Sequence, residues 1–344
     1  MPASVATRND FLDYLKGALI FLVVWGHLIQ FAGYGNHVRY LLDPLFKAIY
    51  TFHMPLFMAV SGFISFRTIS RSELVAGTGR RFHQIIVPAL CWPVLNLIVV
   101  LLWCVFRAET PARGWHEFIK WLPAFRPGLW FLWALFGSTV VVAVLKKFHR
   151  DRLEFFAAAT VLFLFGPDGA NIYLFKYTFP FFCLGYALAK GDQIRFPSAL
   201  SRASIIIIFT LSIGCYLLWT FDTYVYTTRM YPAWSNLPNI GLRWLAGVVV
   251  SAAFVWLISR CYPLAKSATL SLWGRRSLDI YVIHASFLPA LAEIDHPLRC
   301  SPWFTCAAAP VLAVIFCVTC CLVGHGLGRI PVAGMLLLGQ TPKA

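Results

Sequence analysis

Charge is what this chain has least of. Only 12% of its 344 residues are charged, about half the share of an ordinary soluble domain, while 59% are hydrophobic. Long polar stretches are missing as well. The segments between apolar runs reach about twenty residues at most, which leaves no room for an appended soluble domain. No fixed-period repeat is visible, nor an inverted repeat of the kind many transporters carry. The ten cysteines form no metal set and no secreted disulfide framework. Cys91, Cys104, Cys183, Cys215, Cys317, Cys320 and Cys321 fall in or beside apolar runs, where a thiol packs as a small hydrophobe. Cys300 and Cys306 are a candidate bridge on an oxidising face. A small-residue cleavage motif after the first apolar run is also lacking, so that run is expected to stay as an anchor.

What remains is a succession of apolar runs rich in Phe, Trp and Tyr. These imply an all-α, polytopic membrane helix bundle, a single domain over residues 1–344. Ten spans are expected, at 13–33, 41–66, 84–106, 128–146, 153–167, 172–190, 203–221, 239–259, 270–292 and 303–324. The tail 330–339 is too short to span and is expected at the interface. A net charge of +15 would point to nucleic acid in a soluble chain, but its distribution here gives a membrane reading. Fifteen cations, including Arg80, Arg81, Arg275 and Arg276, fall in the loops of one side, against about ten on the other. That bias places both termini in the cytoplasm and the chain in the cell inner membrane, with no nucleic-acid partner. Residues 107–127, with Trp115, Trp121 and three prolines, are expected to form an ordered interfacial loop outside.

The stretch that demands explanation is DYLKGALIFLVVWGHLIQ, Asp13 to Gln30. Lys16 and His27 lie eleven positions apart, which returns a helix to within about 20° of the same face and rises roughly 16 Å. Asp13, three residues before Lys16, can pair with it. An ionisable stripe running into a membrane is costly, so it marks a functional site by default. The second span carries FHMPLFMAVSGF, with His53 at membrane depth beside Pro55, and Ser61-Gly62 further on. Pro88 and Pro93 predict a kinked third span, tolerable where freed backbone groups line a cavity. Tyr281 and His284 share a face of the ninth span.

These motifs resemble the opening of the acyltransferase family 3 integral membrane acyltransferases, closest to the branch called fucose 4-O-acetylase-like. The resemblance rests on DYLKGALIFLVVWGH, FHMPLFMAVSGF and the following RRF…VP across residues 13–88, with GLWFL at 128–132 and GRRSLDIYVIH at 274–284 as shorter anchors. The family usually has arginine where this chain has Lys16, a point charge instead of a planar fork. The resemblance implies transfer of an acyl group, typically acetyl, from cytoplasmic acyl-CoA to a hydroxyl of an extracytoplasmic or lipid-linked glycan. By position, His27 becomes the essential histidine, Lys16 its basic partner, and Arg80-Arg81 the basic pair after the SGF segment.

The chemistry agrees with that assignment. An acceptor hydroxyl is a poor nucleophile that must lose its proton, and a neutral imidazole can take it. His27 therefore acts as general base, or accepts the acyl group itself before passing it on. His53 is a second catalytic candidate, with hydrogen-bonded packing as the other reading. CoA phosphates cannot enter hydrocarbon, so Lys16, Arg80, Arg81, Arg275 and Arg276 are candidates to hold them; the arginine pairs also fit plain positive-inside anchors. Asp13, Ser61, Trp130, Tyr281 and His284 are candidate substrate contacts, although a serine beside Gly62 equally means close helix packing. Acetyl-CoA is expected as donor substrate, with no bound cofactor and no metal. A transporter or flippase of sugars or lipid-linked glycans is the alternative, and a non-catalytic scaffold would leave the Lys16–His27 stripe unexplained.

Overall fold

A computed structural model describes residues 9–106, 129–191, 200–263 and 267–340. The expected outer loop at 107–127, and Gly128, lie outside the described residues. Among the described residues regular structure is entirely helical, with no strand. Seven helical segments are long and apolar enough to cross a membrane: Asp10–Gly33, Pro44–Arg71, Leu74–Leu102, Trp130–Lys147, Ile172–Lys190, Leu237–Cys261 and Phe304–Leu327. The chain is an all-helical, multi-pass membrane protein.

The first segment is α1 (Asp10–Leu28), continued by a π turn at Ile29–Gly33. The Asn9 side chain starts it by accepting from the backbone N–H groups of Phe11 and Leu12. The second combines α2 (Pro44–Tyr50) and α3 (His53–Arg71), and Asp43 caps α2 ahead of Pro44. The third combines α4 (Leu74–Arg81) and α5 (Val87–Phe106), joined by a π turn at Phe82–Ile86. Then follow α6 (Trp130–Lys147), α7 (Leu153–Leu164), α8 (Ile172–Lys190), α9 (Arg202–Leu218) and α10 (Leu237–Cys261).

Two expected spans are shorter than drawn from the sequence: α7 has 12 residues and α9 has 17. The expected span at 270–292 is not one helix. It breaks into α11 (Ala268–Arg275), α12 (Ser277–Ala285) and α13 (Leu288–Glu293). Arg276 leaves the helical region between the first two, at φ −102° and ψ 15°, while its guanidinium pairs with Asp279 at 3.0 Å. Finally come α14 (Ala309–Leu327) and α15 (Pro331–Leu338). The tail does not merely rest at an interface. It folds back on α5, where Trp92 Nε1 donates to the Leu337 carbonyl at 2.8 Å and Leu338 is buried.

Glycines set the core spacing. A Cβ at Gly17 of α1 would strike the Leu270 carbonyl, and one at Gly274 would strike the Asp13 carbonyl. A second reciprocal pair, Gly62 and Gly185, brings α3 and α8 into backbone contact through Phe182 and Ala59. Small residues permit such approach, and van der Waals packing holds helices together where lipid removes the hydrophobic drive. The α1 and α3 segments are 67% buried, against 28% for those of α5, α10 and α14. Leu90, Val94, Ile98 and Leu102 of α5 are exposed at steps of four, the stripe a lipid-facing helix presents.

Candidate active site

The site is built where α1, α3 and α12 meet. Gly17 meets Leu270 while Asp13 meets Gly274, so α11 runs against α1; after the turn at Arg276, α12 runs back along α1 and brings His284 to the level of His27. There Nδ1 of His27 lies 2.9 Å from Nε2 of His284, with the rings near-parallel at 20°. Nδ1 of His284 lies 2.8 Å from the Ile280 carbonyl oxygen, which can only accept, so that nitrogen carries the proton. In the neutral ring Nε2 of His284 is then the acceptor, and Nδ1–H of His27 donates to it. Nε2 of His27 is left as a lone pair, on a ring that is half-buried while His284 is enclosed. His53 repeats the pattern on α3: its Nδ1 donates to the Ile49 carbonyl at 2.8 Å, and its ring lies 4.4 Å from that of Tyr50.

Two cavities approach this level from opposite ends. The larger, about 280 Å³, is lined by Lys16, Ser61, Arg81 and Tyr281, and reaches Val23, one turn before His27. Lys16 Nζ stands 3.9 Å from an Asp13 carboxylate oxygen, and Arg81 Nη2 donates to Ser65 Oγ at 3.3 Å. Gly339, at φ +62°, lines the same cavity, pressed so close to the Gln84 backbone that no side chain would fit there. The smaller, an aromatic chamber of about 10 Å³, is lined by Tyr50, His53, Trp130 and residues of α8, α10 and the segment between α9 and α10. Tyr50 packs against Gly26, beside His27, and Met54 lines both cavities. His53 thus lines the aromatic chamber, and His27 lies one turn beyond Val23 of the basic cavity and next to Gly26, on which Tyr50 packs.

A family model described as "Acyltransferase domain" matches residues 9–324. The chain belongs to acyltransferase family 3. It is a membrane acyltransferase, as the resemblance of its motifs implied. Among curated proteins, Nodulation protein NolL of Mesorhizobium japonicum is 31% identical over 297 residues, covering 83% of this chain and 78% of that protein. Nodulation protein NolL of Sinorhizobium fredii is 30% identical over 294 residues, covering 83% and 79%. No solved structure matches the chain.

Within this acyltransferase the expected site residues divide. Lys16, Ser61, Arg81 and Tyr281 gather in the basic cavity, and His53 and Trp130 in the aromatic chamber. His27 and His284 pair with each other, and neither lines the wall of either cavity. Arg80 instead turns to Ser72 Oγ at 2.7 Å, Arg275 is exposed, and Arg276 pairs with Asp279. Asp13 is buried beneath Gly274 and pairs with Lys16.

Two cations, Lys176 and Arg243, are interior. Lys176 is buried and pairs with Asp168 at 2.6 Å while donating to the Gly166 carbonyl. Arg243 is fully enclosed. It donates to the carbonyls of Asp222, Thr223, Tyr224 and Arg229 and to Thr228 Oγ. The signal for both was present: a lone cation inside an apolar span is expensive unless satisfied.

Proposed function

We propose that this protein moves an acyl group, typically acetyl, from cytoplasmic acyl-CoA to a hydroxyl of an extracytoplasmic or lipid-linked glycan in the cell inner membrane. The observation that carries the reading is the His27–His284 pair, with Nε2 of His27 unspent, one turn from Val23 of the basic cavity and beside the Gly26–Tyr50 contact that borders the aromatic one. Lys16 and Arg81 hold the CoA phosphates at the mouth, as flexible and forked cations suit a phosphate. The cavity of about 280 Å³ takes the pantetheine arm, whose thioester then arrives near Val23 and His27.

The acceptor hydroxyl gives its proton to Nε2 of His27 as its oxygen attacks the thioester carbonyl. The tetrahedral adduct collapses, the C–S bond breaks, and the thiolate takes the proton back from His27. Products are the ester and free CoA thiol. While His27 holds the extra proton, its Nδ1–H points at the lone pair of His284, which stabilises the cation in place. A thioester is already activated toward attack, so proton removal from the alcohol is the step that needs help.

Purified protein with acetyl-CoA and a glycan acceptor should release CoA thiol, and His27→Ala should lower turnover by about 10²–10⁴-fold, the usual contribution of a positioned acid–base group. Acetyl on His27 trapped in a single turnover would assign the covalent route. Movement of the glycan across sealed vesicles with no thioester consumed would instead favour a transporter.

A further inference from the structure

The aromatic chamber holds more unmet hydrogen-bonding capacity than packing requires. Tyr177 Oη, Trp219 Nε1 and Tyr224 Oη all belong to residues of its wall, and none has a partner among the described residues. The three residues are 5%, 4% and 2% exposed, so bulk water does not satisfy them. Buried polar groups are almost always paired, and three orphans around one space mark a place where something else supplies the partners. About 10 Å³ is room for one water-sized group, such as a single hydroxyl.

The chemistry of that occupant can be read from the wall. Two phenols both donate and accept, and an indole donates only, so the ligand must present oxygen acceptors and at least one hydroxyl. The surrounding rings offer flat apolar faces with polar tips, which suit a ligand apolar on one side and hydroxylated on another. Arg243 also lines the chamber, yet its donors are spent on the segment Asp222–Arg229. No cationic donor is left over for a carboxylate or phosphate, so the wall selects a neutral molecule. Tyr226 lines the chamber and is 36% exposed, which puts the opening at its ring.

We propose that this chamber is part of the acceptor subsite, taking one hydroxyl of a neutral sugar unit, which accepts from the Trp219 indole and from one of the two phenols, Tyr177 or Tyr224, and donates to the other. Arg243 is a positioning residue that holds the segment forming the wall. His53 lines the same wall, and a neighbouring hydroxyl of the same sugar, left outside the chamber, is directed past Met54 toward His27. This assignment rests on the acyl-transfer reading above.

The test uses Tyr177→Phe and Tyr224→Phe, which remove one hydroxyl each and keep the ring. Octyl glycosides of neutral hexoses and 6-deoxyhexoses serve as acceptors, with octyl glucuronide as the charged control. Ester formation, the KM for acetyl-CoA and thiol release without acceptor are measured together with thermal midpoints. Each variant should raise the KM for a neutral glycoside by about threefold to tenfold, the loss of one hydrogen bond. The KM for acetyl-CoA, acceptor-free thiol release and the midpoint should stay as in the native protein, and the glucuronide should not be esterified. An unchanged glycoside KM in both variants would mean the chamber holds water only, and overturns the assignment. So does esterification of the glucuronide but of no neutral glycoside. Absence of thiol release from acetyl-CoA by the native protein, with or without any acceptor, would instead remove the transfer reading on which the assignment stands.

Discussion

His284 touches no reacting atom in the proposed reaction, yet it fixes which nitrogen of His27 is free. Its own tautomer is set by the Ile280 carbonyl, and it passes that choice on through a 2.9 Å hydrogen bond. His284→Ala should therefore lower kcat by about 10–100-fold, the range seen when a partner that orients a functional histidine is removed. The KM for acetyl-CoA should stay within twofold, because the basic cavity is untouched. A merely structural histidine would move both parameters or the thermal midpoint, so steady-state kinetics beside a melting curve decide the role. At this scale the sequence is informative where the partners sit on one helix. Lys16 and His27 share a face by simple periodicity, and both reach the site from α1. The His27–His284 pair spans 257 positions, and no local pattern encodes it. Arg243 was visible as a charge in an apolar run, but its carbonyl partners form only once the chain after α9 folds over it.

At the scale of elements, the glycine pairs seat two histidine-bearing helices closely on their neighbours, α1 on α11 and α3 on α8. Gly185 of α8 faces the Ala59 carbonyl, and its partner Gly62 faces the Phe182 carbonyl, so neither neighbour is a side chain that can swing aside. Gly185→Val should force α3 and α8 apart. It should destabilise the protein by about 1–3 kcal/mol or more, as overpacking does in a tight core. Thermal unfolding in detergent checks this, and an unchanged midpoint would show the contact to be dispensable. Because α3 also carries His53, Met54 and Ser61, activity should fall along with stability. Helix identity was plain from composition, since long apolar runs bounded by caps and prolines leave few alternatives. Breaks were not plain. The run 270–292 reads as one span, and the backbone turns at Arg276, tied to the Asp279 pair, and at Ser286 and Phe287 divide it into three pieces. The fold-back of α15 was hidden for a similar reason: eight apolar residues announce burial but not the place of burial.

For the whole molecule, the arrangement is polar from end to end. The basic cavity opens where α1 begins and α4 ends, and the aromatic chamber lies toward the loops joining α1 to α2 and α9 to α10. In the proposed reaction neither substrate crosses the bilayer entire: an extended pantetheine arm would reach inward from one side and a hydroxyl from the other, so that only the acyl group changes compartment. On this proposal the basic end is taken, from the loop charges, as cytoplasmic, and that has a direct consequence in reconstituted vesicles. Proteoliposomes of defined orientation, loaded with acceptor, should consume acetyl-CoA only when it is supplied on the face that bears the N-terminus. The ester should then appear only on acceptor held at the opposite face. Arg81→Gln should raise the KM for acetyl-CoA on that face by about tenfold, the value of one charge-assisted hydrogen bond to phosphate. It should leave the acceptor KM as it was. Equal consumption of acetyl-CoA from both faces would mean that the two cavities are not separate entrances, and the histidine pair would then be an interior site served from a single door.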